Sequence, residues 1–532
     1  MKKTVIFLLC ALSSVTAGSY GKEEQCAPRD AYVYSGIGDA RILIPLFADD
    51  TSSSYVCSLI YNGLTKVDKD LNVTGDLAEK WEILDDGLTI KFYLRRGIFW
   101  HDGKPFTAED VKFTYDAILD PETGCPYISG YQDIERIEIT DPCTITFRYK
   151  QPYASALLKF GMGIIPAHLF PDPREIRQSV RAHDPVGTGP YMFSRWERGQ
   201  YIVLEANTRY FERVPGIKRF VYRIIPDQAV QFLELVSGGI DSMELNPYQF
   251  LYRSDTEVFK KRINKYSYLA HAYTYIGYNL NDPLFSDRRV RQALSRAINR
   301  EEIIKAAYYG LAEACTGPFL KGSAYYDESV AGYGYDPEKA ARLFALAGWK
   351  DADGDGILEK DGIKFSFVLC TNQGNQVRED IATIVQRQWA AAGVKAEIQV
   401  VAWAAFLDQF IDKKKFQAVL LGWSIPTDPD LFSVWHTGSI ARGGLNFISY
   451  SNREVDELIE GTRREFDEDK RAGLCHRAHR LINEDAPYTF LVFPYAAPAV
   501  QKRFRGIKPA PAGIGYNFID WYVPENEVKY KM

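Results

Sequence analysis

The sequence has few residues of the types that carry covalent or metal chemistry. Its 532 residues include only eight cysteines and seven histidines. The one close histidine pair, His476 and His479, lies on a charged segment beside Cys475. A zinc site there would need two more ligands, so we expect a solvent-facing helix. Neither Gly-x-Ser-x-Gly nor His-Glu-x-x-His occurs, and we therefore predict no catalytic residue and no cofactor.

The sequence also lacks an excess of positive charge and long internal apolar runs. A net charge of -5 and a pI near 5.9 argue against a nucleic-acid partner, whose phosphates require clustered Lys and Arg. The run of lysines at 413–415 is typical of a solvated face. No internal stretch approaches the ~18 to 20 apolar residues of a membrane span. With 46% apolar residues, the chain is expected to form several globular domains.

The amino-terminal segment has the pattern of an export signal. Two lysines at positions 2 and 3 precede an apolar core at residues 5–12, and Val-Thr-Ala at 15–17 ends in a small residue. This order predicts a signal peptide over residues 1–17 that is cleaved before Gly18. We therefore expect a periplasmic protein, which implies a cell with an outer membrane.

The positions of the cysteines indicate whether a lipid anchor and disulfide bonds are expected. Cys10 follows two leucines and Cys26 follows a charged stretch, and neither context resembles a lipid-attachment motif, so free diffusion is favoured over a lipid anchor. Loss of Cys10 with the signal leaves seven cysteines, an odd number. Cys125 and Cys143 flank a strand-like stretch, and we predict either a disulfide between them or two free thiols.

Two strings carry the clearest sequence information. Residues 85–120 read DDGLTIKFYLRRGIFWHDGKPFTAEDVKFTYDAILD, with turns at both Asp-Gly pairs and a helix predicted after Thr107, whose capping box is completed by Asp110. Residues 184–191 read DPVGTGPY, a turn that lacks the Lys and Ser/Thr of a phosphate-binding loop. Both strings resemble the family 5 extracellular solute-binding proteins, the peptide- and nickel-binding receptors of ABC importers.

This resemblance implies an α/β fold, a two-lobed periplasmic-binding-protein clamshell of type II similar to cluster C, with an extra small α+β subdomain in lobe one. Alternating strands and helices in the second half favour a mainly parallel sheet there. The expected division is signal peptide 1–17, lobe I 18–55, small outer subdomain 56–186, lobe I again 187–272, lobe II 273–495, and a return to lobe I at 496–532.

The resemblance also places a ligand site in a loop and on aromatic side chains. Related receptors carry an Asp three residues after the tryptophan equivalent to Trp423, where it pairs with the ligand's ammonium group, but Pro426 stands there in this chain. Asp428 and Asp430 are the candidates to supply that charge, and capping of the following helix is the alternative role for both. The aromatic residues expected to line the cleft are Tyr34, Tyr273, Tyr275, Trp403 and Trp423, with a place in the core as the alternative.

An acidic turn offers the one metal candidate. Asp351, Asp353 and Asp355 alternate with Ala and Gly as in the first half of a calcium loop. The twelfth position, which would carry a bidentate acid, is Gly362. A plain turn between a helix and a strand is therefore favoured over a bound calcium ion.

The resulting functional hypothesis is a monomeric periplasmic receptor that is not an enzyme. It would bind a peptide between its lobes and deliver it to an ABC permease in the inner membrane. Oligosaccharides and metal chelates are alternative ligands of the same fold. A secreted peptide hydrolase and a periplasmic chaperone are the alternatives from other functional classes.

Overall fold

The computed structural model describes residues 31–441 and 444–529. The predicted signal peptide and its cleavage site, together with Cys10 and Cys26, lie outside the described residues. None of the helices in the described ranges combines the length and the apolar character that a bilayer crossing requires.

The strands of the described residues pair into sheets of two to seven strands. They are β1 (Ala31–Gly36), β2 (Thr65–Val67), β3 (Val73–Gly75), β4 (Ala78–Leu84), β5 (Thr89–Leu94), β6 (Ile134–Asp141), β7 (Thr144–Tyr149), β8 (Tyr191–Glu197), β9 (Tyr201–Ala206), β10 (Arg219–Ile224), β11 (Ser242–Glu244), β12 (Ile263–Lys265), β13 (Tyr268–Leu269), β14 (Ala272–Tyr278), β15 (Ala312–Ala314), β16 (Glu359–Lys360), β17 (Ile363–Lys364), β18 (Ser366–Asn372), β19 (Lys395–Val401), β20 (Ala418–Ser424), β21 (Tyr488–Ala496) and β22 (Pro498–Gln501).

The α-helices of the same residues follow in chain order. They are α1 (Thr51–Ile60), α2 (Ala108–Leu119), α3 (Ala156–Lys159), α4 (Gln228–Ser237), α5 (Glu257–Arg262), α6 (Arg288–Arg296), α7 (Arg300–Ala306), α8 (Pro337–Leu346), α9 (Gln376–Ala391), α10 (Trp403–Ala405), α11 (Phe432–Trp435), α12 (Arg453–Arg464) and α13 (Glu468–Asp485).

The first large sheet has the strand order β12-β22-β11-β1-β10-β9-β8. Its centre is β1, which runs parallel to β10 and β11, so the carboxyl ends of these three strands meet at one edge. A four-stranded antiparallel sheet, β4-β5-β7-β6, shares a single hydrophobic core with one face of the first sheet. The first sheet and this small subdomain together are called lobe I below.

The second large sheet, which forms lobe II, has the order β13-β21-β14-β20-β18-β19, with β15 beside β21. Only the pairings of β18 with β19 and with β20 are parallel. The expectation of a mainly parallel sheet is therefore wrong. The reason is that β14 enters from lobe I and lies between β20 and β21, and it runs antiparallel to both of them.

The chain passes twice between the two large sheets, first between β12 and β13 and later between β21 and β22. The expected domain boundaries remain predictions. Sheet membership bears on two of them, since β13 lies in the second sheet although it precedes residue 273, and β21 of the same sheet extends to Ala496, one residue past the expected end of lobe II. The carboxyl-terminal segment packs on β1, where the Tyr32 ring lies 5.0 Å from that of Phe518.

Residues 453–485 form two helices rather than one. The helix α12 ends at Arg464, and α13 begins at Glu468. The Asp467 carboxylate accepts a hydrogen bond from the Lys470 backbone NH, so it caps α13 and stops α12 from continuing into it. This break brings Arg463 and Arg471 to opposite sides of one short connection.

The disulfide considered between Cys125 and Cys143 does not form. All six cysteines of the described residues are free thiols, and all but Cys143 are buried. The Cys125 sulfur lies 3.2 Å from the Leu46 carbonyl oxygen, inside the core shared by the two sheets of lobe I. Cys143 stands in the turn between β6 and β7, where it is only partly buried.

The predicted capping box of α2 is confirmed. The Thr107 hydroxyl accepts from the Glu109 NH, and the Asp110 carboxylate accepts from the Thr107 NH at 2.9 Å. Asp110 also accepts from the Ala167 NH and from the indole NH of Trp100. Asp110 therefore joins the start of α2 to two other segments of the small subdomain.

We expect Asp110→Ala to be more destabilising than Thr107→Ala. Loss of the threonine cap should cost about 1 kcal/mol, whereas loss of the aspartate leaves three donors unpaired and should cost at least about 2 kcal/mol. Thermal melts of the two variants beside the wild-type protein test the order. Equal losses would show that Asp110 acts as a helix cap alone.

Candidate functional site

A cavity of about 1060 Å³ lies between the two lobes. Its lining comes from both sides. Lobe I contributes the start of α1 and residues near positions 41–49, 126–127 and 177–178, and lobe II contributes β14, the end of β20 and the segments that follow β19 and β20. We call this space the interlobe cavity.

Aromatic residues of lobe II form one wall of the interlobe cavity. Tyr273, Tyr275, Trp403 and Trp423 all line it. Tyr273 and Tyr275 lie on the same face of β14, with ring centroids 5.7 Å apart. The indole NH of Trp423 donates to the Tyr488 hydroxyl at 3.1 Å, which fixes the orientation of its ring. Trp403 and Trp423 are only partly buried and present ring surface to the cavity, whereas Tyr273 and Tyr275 are 3% and 0% exposed and belong to the buried core of lobe II, which is the alternative considered for them.

The expected residue Tyr34 does not line the interlobe cavity. Its ring packs 5.0 Å from that of Tyr55, and Tyr55 is a lining residue. Tyr34 thus supports the lobe I wall from the second layer. Tyr55 and Tyr127 were not predicted from the sequence, because no local pattern distinguishes them from the other aromatic residues of the chain.

The lobes approach each other closely at two glycines. A side chain at Gly38 would place its Cβ 2.8 Å from the Trp403 ring, and a side chain at Gly374 would place its Cβ 2.2 Å from the Pro226 carbonyl oxygen. Gly374 also has a φ of +84°, which other residues adopt only under strain. Both glycines therefore permit contact across the interlobe space.

Asp430 is at the centre of a buried group of charges that crosses from lobe II to the small subdomain. Its carboxylate accepts two hydrogen bonds of 2.9 Å from Arg463, one of 2.9 Å from the Tyr153 hydroxyl, and an ion pair of 3.0 Å from Lys159. Burial alone would raise the pKa of Asp430, but Lys159 and Arg463 outweigh it and hold that pKa far below its usual range.

Asp428 extends the same group. It accepts from Arg471 at 2.9 Å and from the Ser155 hydroxyl at 2.7 Å, and Arg471 also donates to Ser155 at 2.6 Å. We call the whole group the interlobe ion network; it comprises Asp428, Asp430, Arg463 and Arg471 of lobe II and Tyr153, Ser155 and Lys159 of lobe I.

The interlobe ion network bears directly on the two aspartates considered as partners for a ligand's ammonium group. Both carboxylates are already neutralised by protein cations. Each also accepts a backbone NH two residues on, from Asp430 and Phe432 respectively, which closes a turn before α11. The capping alternative is wrong, because the N-cap residue of α11 is Leu431 and no side chain caps this helix. Asp430 reaches the interlobe cavity, but Asp428 is not a lining residue.

A second polar contact joins the lobes at the other side of the interlobe cavity. Arg41 of lobe I donates to Asp408 and to Asp412 of lobe II, both at 2.6 Å, and pairs with Asp49 at 3.2 Å. Burial raises the pKa of Asp49 to about 6, although Arg41 acts in the opposite direction. The spacing of Asp408 and Asp412 places both on one side of their helical turn, but nothing in the sequence singles out Arg41.

The acidic turn lies far from this site in the chain and carries its own cation. The carboxylates of Asp351, Asp353 and Asp355 lie within 4.8 Å of one another. The Lys364 ammonium pairs with Asp353 at 2.5 Å and with Asp355 at 2.8 Å. A lysine side chain therefore supplies the positive charge that such a cluster would otherwise attract from a metal ion.

The histidine pair on α13 differs from expectation. His479 faces the core rather than solvent, because its ring nitrogens contact the Thr316 hydroxyl and the Asp327 NH. Burial lowers the pKa of His479 to about 4, and burial raises that of the neighbouring Cys475 thiol to about 12. Both groups are thus uncharged and inert at neutral pH.

Comparison with known proteins identifies the family. Residues 72–443 match the family described as "Bacterial extracellular solute-binding proteins, family 5 Middle". The chain belongs to family 5. Among the family 5 relatives, the oligopeptide-binding protein AppA of Bacillus subtilis is 34% identical over 530 residues, which cover 97% of this chain and 96% of that protein. The glutathione-binding protein GsiB of Salmonella typhimurium is 28% identical, over 93% of this chain and 94% of its own length.

Solved family 5 structures share the architecture. AppA from Bacillus subtilis in complex with a nonapeptide gives a TM-score of 0.89 at 33% identity, covering 94% of this chain and all of that one. NikZ from Campylobacter jejuni in complex with Ni(L-His) gives 0.84 at 27% identity, covering 93% and 100%. The protein is a type II periplasmic-binding-protein clamshell with two lobes.

We expect Asp430→Asn to weaken the contact between the lobes. The variant leaves the buried Arg463 and the partly buried Lys159 without a countercharge, which should cost about 3–5 kcal/mol. The thermal midpoint should fall, and small-angle scattering of the ligand-free protein should give a larger radius of gyration. Asp353→Asn, at an exposed ion pair within lobe II, serves as the matched control and should change neither quantity.

The stabilisation contributed by the Asp430 carboxylate should depend on pH in a defined direction. A carboxyl whose pKa is lowered by folding stabilises the fold above its ordinary pKa and loses that contribution only as the pH falls through the lowered value. The difference in thermal midpoint between wild type and Asp430→Asn should therefore stay constant between about pH 5 and 8. A difference that disappears on mild acidification would contradict an ionised, tightly paired Asp430.

Proposed function

We propose that this protein is the periplasmic receptor of an ABC importer and that it binds peptides in the interlobe cavity. The observation that carries the proposal is the cavity itself, about 1060 Å³ in volume, walled by aromatic side chains and contacted by both lobes. Ligand pockets for small molecules usually span ~300–1,000 Å³, so this space suits an extended ligand of several residues.

Peptide as the ligand class is supported by chemistry and by relatives. Aromatic faces bury ligand surface without selecting one side chain, and an extended backbone offers regular hydrogen-bonding groups. The relative AppA is named an oligopeptide-binding protein and was solved with a nonapeptide. We assign the ligand contacts to Trp403 and Trp423, with Tyr273, Tyr275 and Tyr34 in a supporting role beneath the walls of the cavity.

The loop after β20 offers no free carboxylate for the ammonium group of a peptide ligand. Pro426 stands where related receptors place an aspartate, and Asp428 and Asp430 are held by Arg471 and Arg463. We therefore do not assign a charged partner to the peptide's amino terminus, and the ligand would be held by burial and backbone contacts. Such a site accepts peptides of varied length and sequence.

The proposal includes export, delivery and release of intact ligand. The signal over residues 1–17 would direct the chain to the periplasm, where a monomer with its lobes closed over a peptide would dock on an inner-membrane permease. Ligand binding would favour closure because the ligand contacts both lobes. The proposed domain division is the one stated from the sequence, and no hydrolytic step is part of the mechanism.

A metal chelate is the second candidate, favoured by the NikZ complex with Ni(L-His). Nickel prefers imidazole and other nitrogen ligands. Among the described residues that line the interlobe cavity there is neither a histidine nor a cysteine to complete such coordination. Peptide binding is therefore the better-supported function.

Trp423→Ala should weaken peptide binding by at least ~1 kcal/mol, because the lost ring removes buried contact area in the wall of the interlobe cavity. Isothermal titration calorimetry with a peptide recovered from the protein, identified by native mass spectrometry, measures the change. Trp81→Ala is a suitable control, since Trp81 lies in the small subdomain away from the lining. An unchanged dissociation constant for Trp423→Ala would remove this wall from the site.

Prolonged incubation of the protein with that peptide tests whether the protein is a receptor or a hydrolase. We expect the peptide to be recovered intact, with its mass unchanged. Recovery of cleavage products by the purified protein would contradict the proposal. Suppression of aggregation of an unfolded test protein at stoichiometric amounts would instead favour the chaperone alternative.

A further inference from the structure

Three exposed tyrosine rings meet across the boundary between the lobes. Tyr248 and Tyr252 follow β11 in lobe I, and Tyr309 lies between α7 and β15 in lobe II. The Tyr309 ring centroid is 5.8 Å from that of Tyr248 and 5.7 Å from that of Tyr252, and the two lobe I rings are 5.5 Å apart. Aromatic rings attract each other at ~4.5–7 Å. We call these three residues the interlobe tyrosine cluster.

The interlobe tyrosine cluster is separate from the interlobe cavity, because none of its three residues lines that space. Tyr248 lines instead a crevice of about 740 Å³ that also includes Pro226 and Gly374, the pair at which the lobes approach each other closely. The tyrosines at positions 248, 252 and 309 are 46, 58 and 38% exposed. Neither lobe therefore depends on these rings for its core, and their contact is one between the lobes.

The two tyrosines of lobe I are carried by a π-helical turn, Gln249–Arg253, that is fixed to lobe I. The buried Gln249 side chain donates to the Gln228 carbonyl oxygen at 2.8 Å and accepts from the Asn246 NH at 3.1 Å. The Lys265 ammonium of β12 donates to a backbone carbonyl oxygen of the same turn at 2.6 Å. The turn and its two rings therefore move with lobe I.

Tyr309 stands in a turn that is fixed to lobe II. Its φ of +52° lies in the left-handed region, which is unfavourable for a residue with a side chain and is kept only where the surroundings enforce it. The hydroxyl of the buried Tyr308 pairs with the Thr274 hydroxyl at 3.0 Å, and the Leu311 carbonyl oxygen accepts from the Tyr495 NH at 3.0 Å. The fold thus maintains the contact of this ring with lobe I at a conformational cost.

We propose that the interlobe tyrosine cluster is a latch that stabilises the closed, ligand-bound form and so raises the affinity for a peptide without touching it. This inference rests on the proposed function. Because each half of the cluster is fixed to its own lobe, rotation of the lobes about the two chain crossings separates Tyr309 from the lobe I rings. The ring contact therefore favours the closed form alone, and peptide binding and ring contact reinforce each other.

Tyr309→Ala and Tyr309→Gly test the latch from lobe II. Each removes the ring and should raise the dissociation constant of the peptide recovered from the protein about three- to tenfold, mainly through faster dissociation. Tyr309→Gly also relieves the backbone, so its thermal midpoint should be no lower than that of Tyr309→Ala. Calorimetry and stopped-flow dissociation measure these changes. Tyr335→Ala, at a 53% exposed tyrosine of lobe II outside the cluster, is the matched control and should stay within about twofold of wild type.

A double-mutant cycle tests whether the rings act through each other. Tyr252→Ala removes a contact partner from lobe I, where no unusual backbone conformation is involved, and should also raise the dissociation constant. The double variant Tyr252→Ala with Tyr309→Ala should bind about as weakly as Tyr309→Ala alone, since the contact is already lost in the single variant. Losses that multiply in the double variant would show that the rings act separately and would overturn the latch.

The outcomes distinguish this inference from the function on which it rests. Peptide binding that is unchanged in both Tyr309 variants would show that the ring contact does not change on closure, and would overturn the latch while leaving the peptide receptor in place. Failure of every peptide to bind the wild-type protein would overturn the proposed function and the latch together.

Discussion

The contact between Asp430 and the two cations Arg463 and Lys159 joins parts of the chain that belong to different lobes. Arg463 and Asp430 come from lobe II, Lys159 comes from the small subdomain, and the carboxylate is almost completely removed from solvent. A buried charge is tolerated only when its partners are in place. The relative position of the lobes, and hence the shape of the interlobe cavity, depends on this contact and on the Arg41 contact at the opposite side.

The same contact leaves the acids of the loop after β20 unavailable to a charged ligand. A carboxylate that serves a ligand's ammonium group has to be open to the cavity, whereas in this chain Asp430 and Asp428 are paired with the two arginines near the break between α12 and α13. The charges of this loop are therefore structural. In the proposed function, the aromatic wall would select ligands by fit.

Local features were predictable from the sequence, and long-range ones were not. The capping box at Thr107 and Asp110 follows from residues three positions apart. The resemblance to family 5 pointed to Tyr34, Tyr273, Tyr275, Trp403 and Trp423, of which Trp403 and Trp423 present ring surface to the interlobe cavity, whereas Tyr273 and Tyr275 are buried beside it and Tyr34 does not line it. The parallel sheet expected for lobe II was wrong, because the place that β14 takes between two later strands is set by the crossing from lobe I. The roles of Arg41 and Arg463 depend on partners more than thirty residues away, which no local pattern reveals.

The free cysteines have a consequence for how such a chain matures. Five thiols are enclosed by the finished fold, with ionisation suppressed by burial, so these five are inert toward oxidants in the native protein, whereas Cys143 is partly exposed. A chain exported in an unfolded state, as we propose, would expose all of them in a compartment that promotes disulfide formation. Folding of the two lobes would therefore compete with the formation of non-native disulfides. Substitutions that slow folding would lower the yield of native protein through oxidation, even where they leave ligand affinity unchanged.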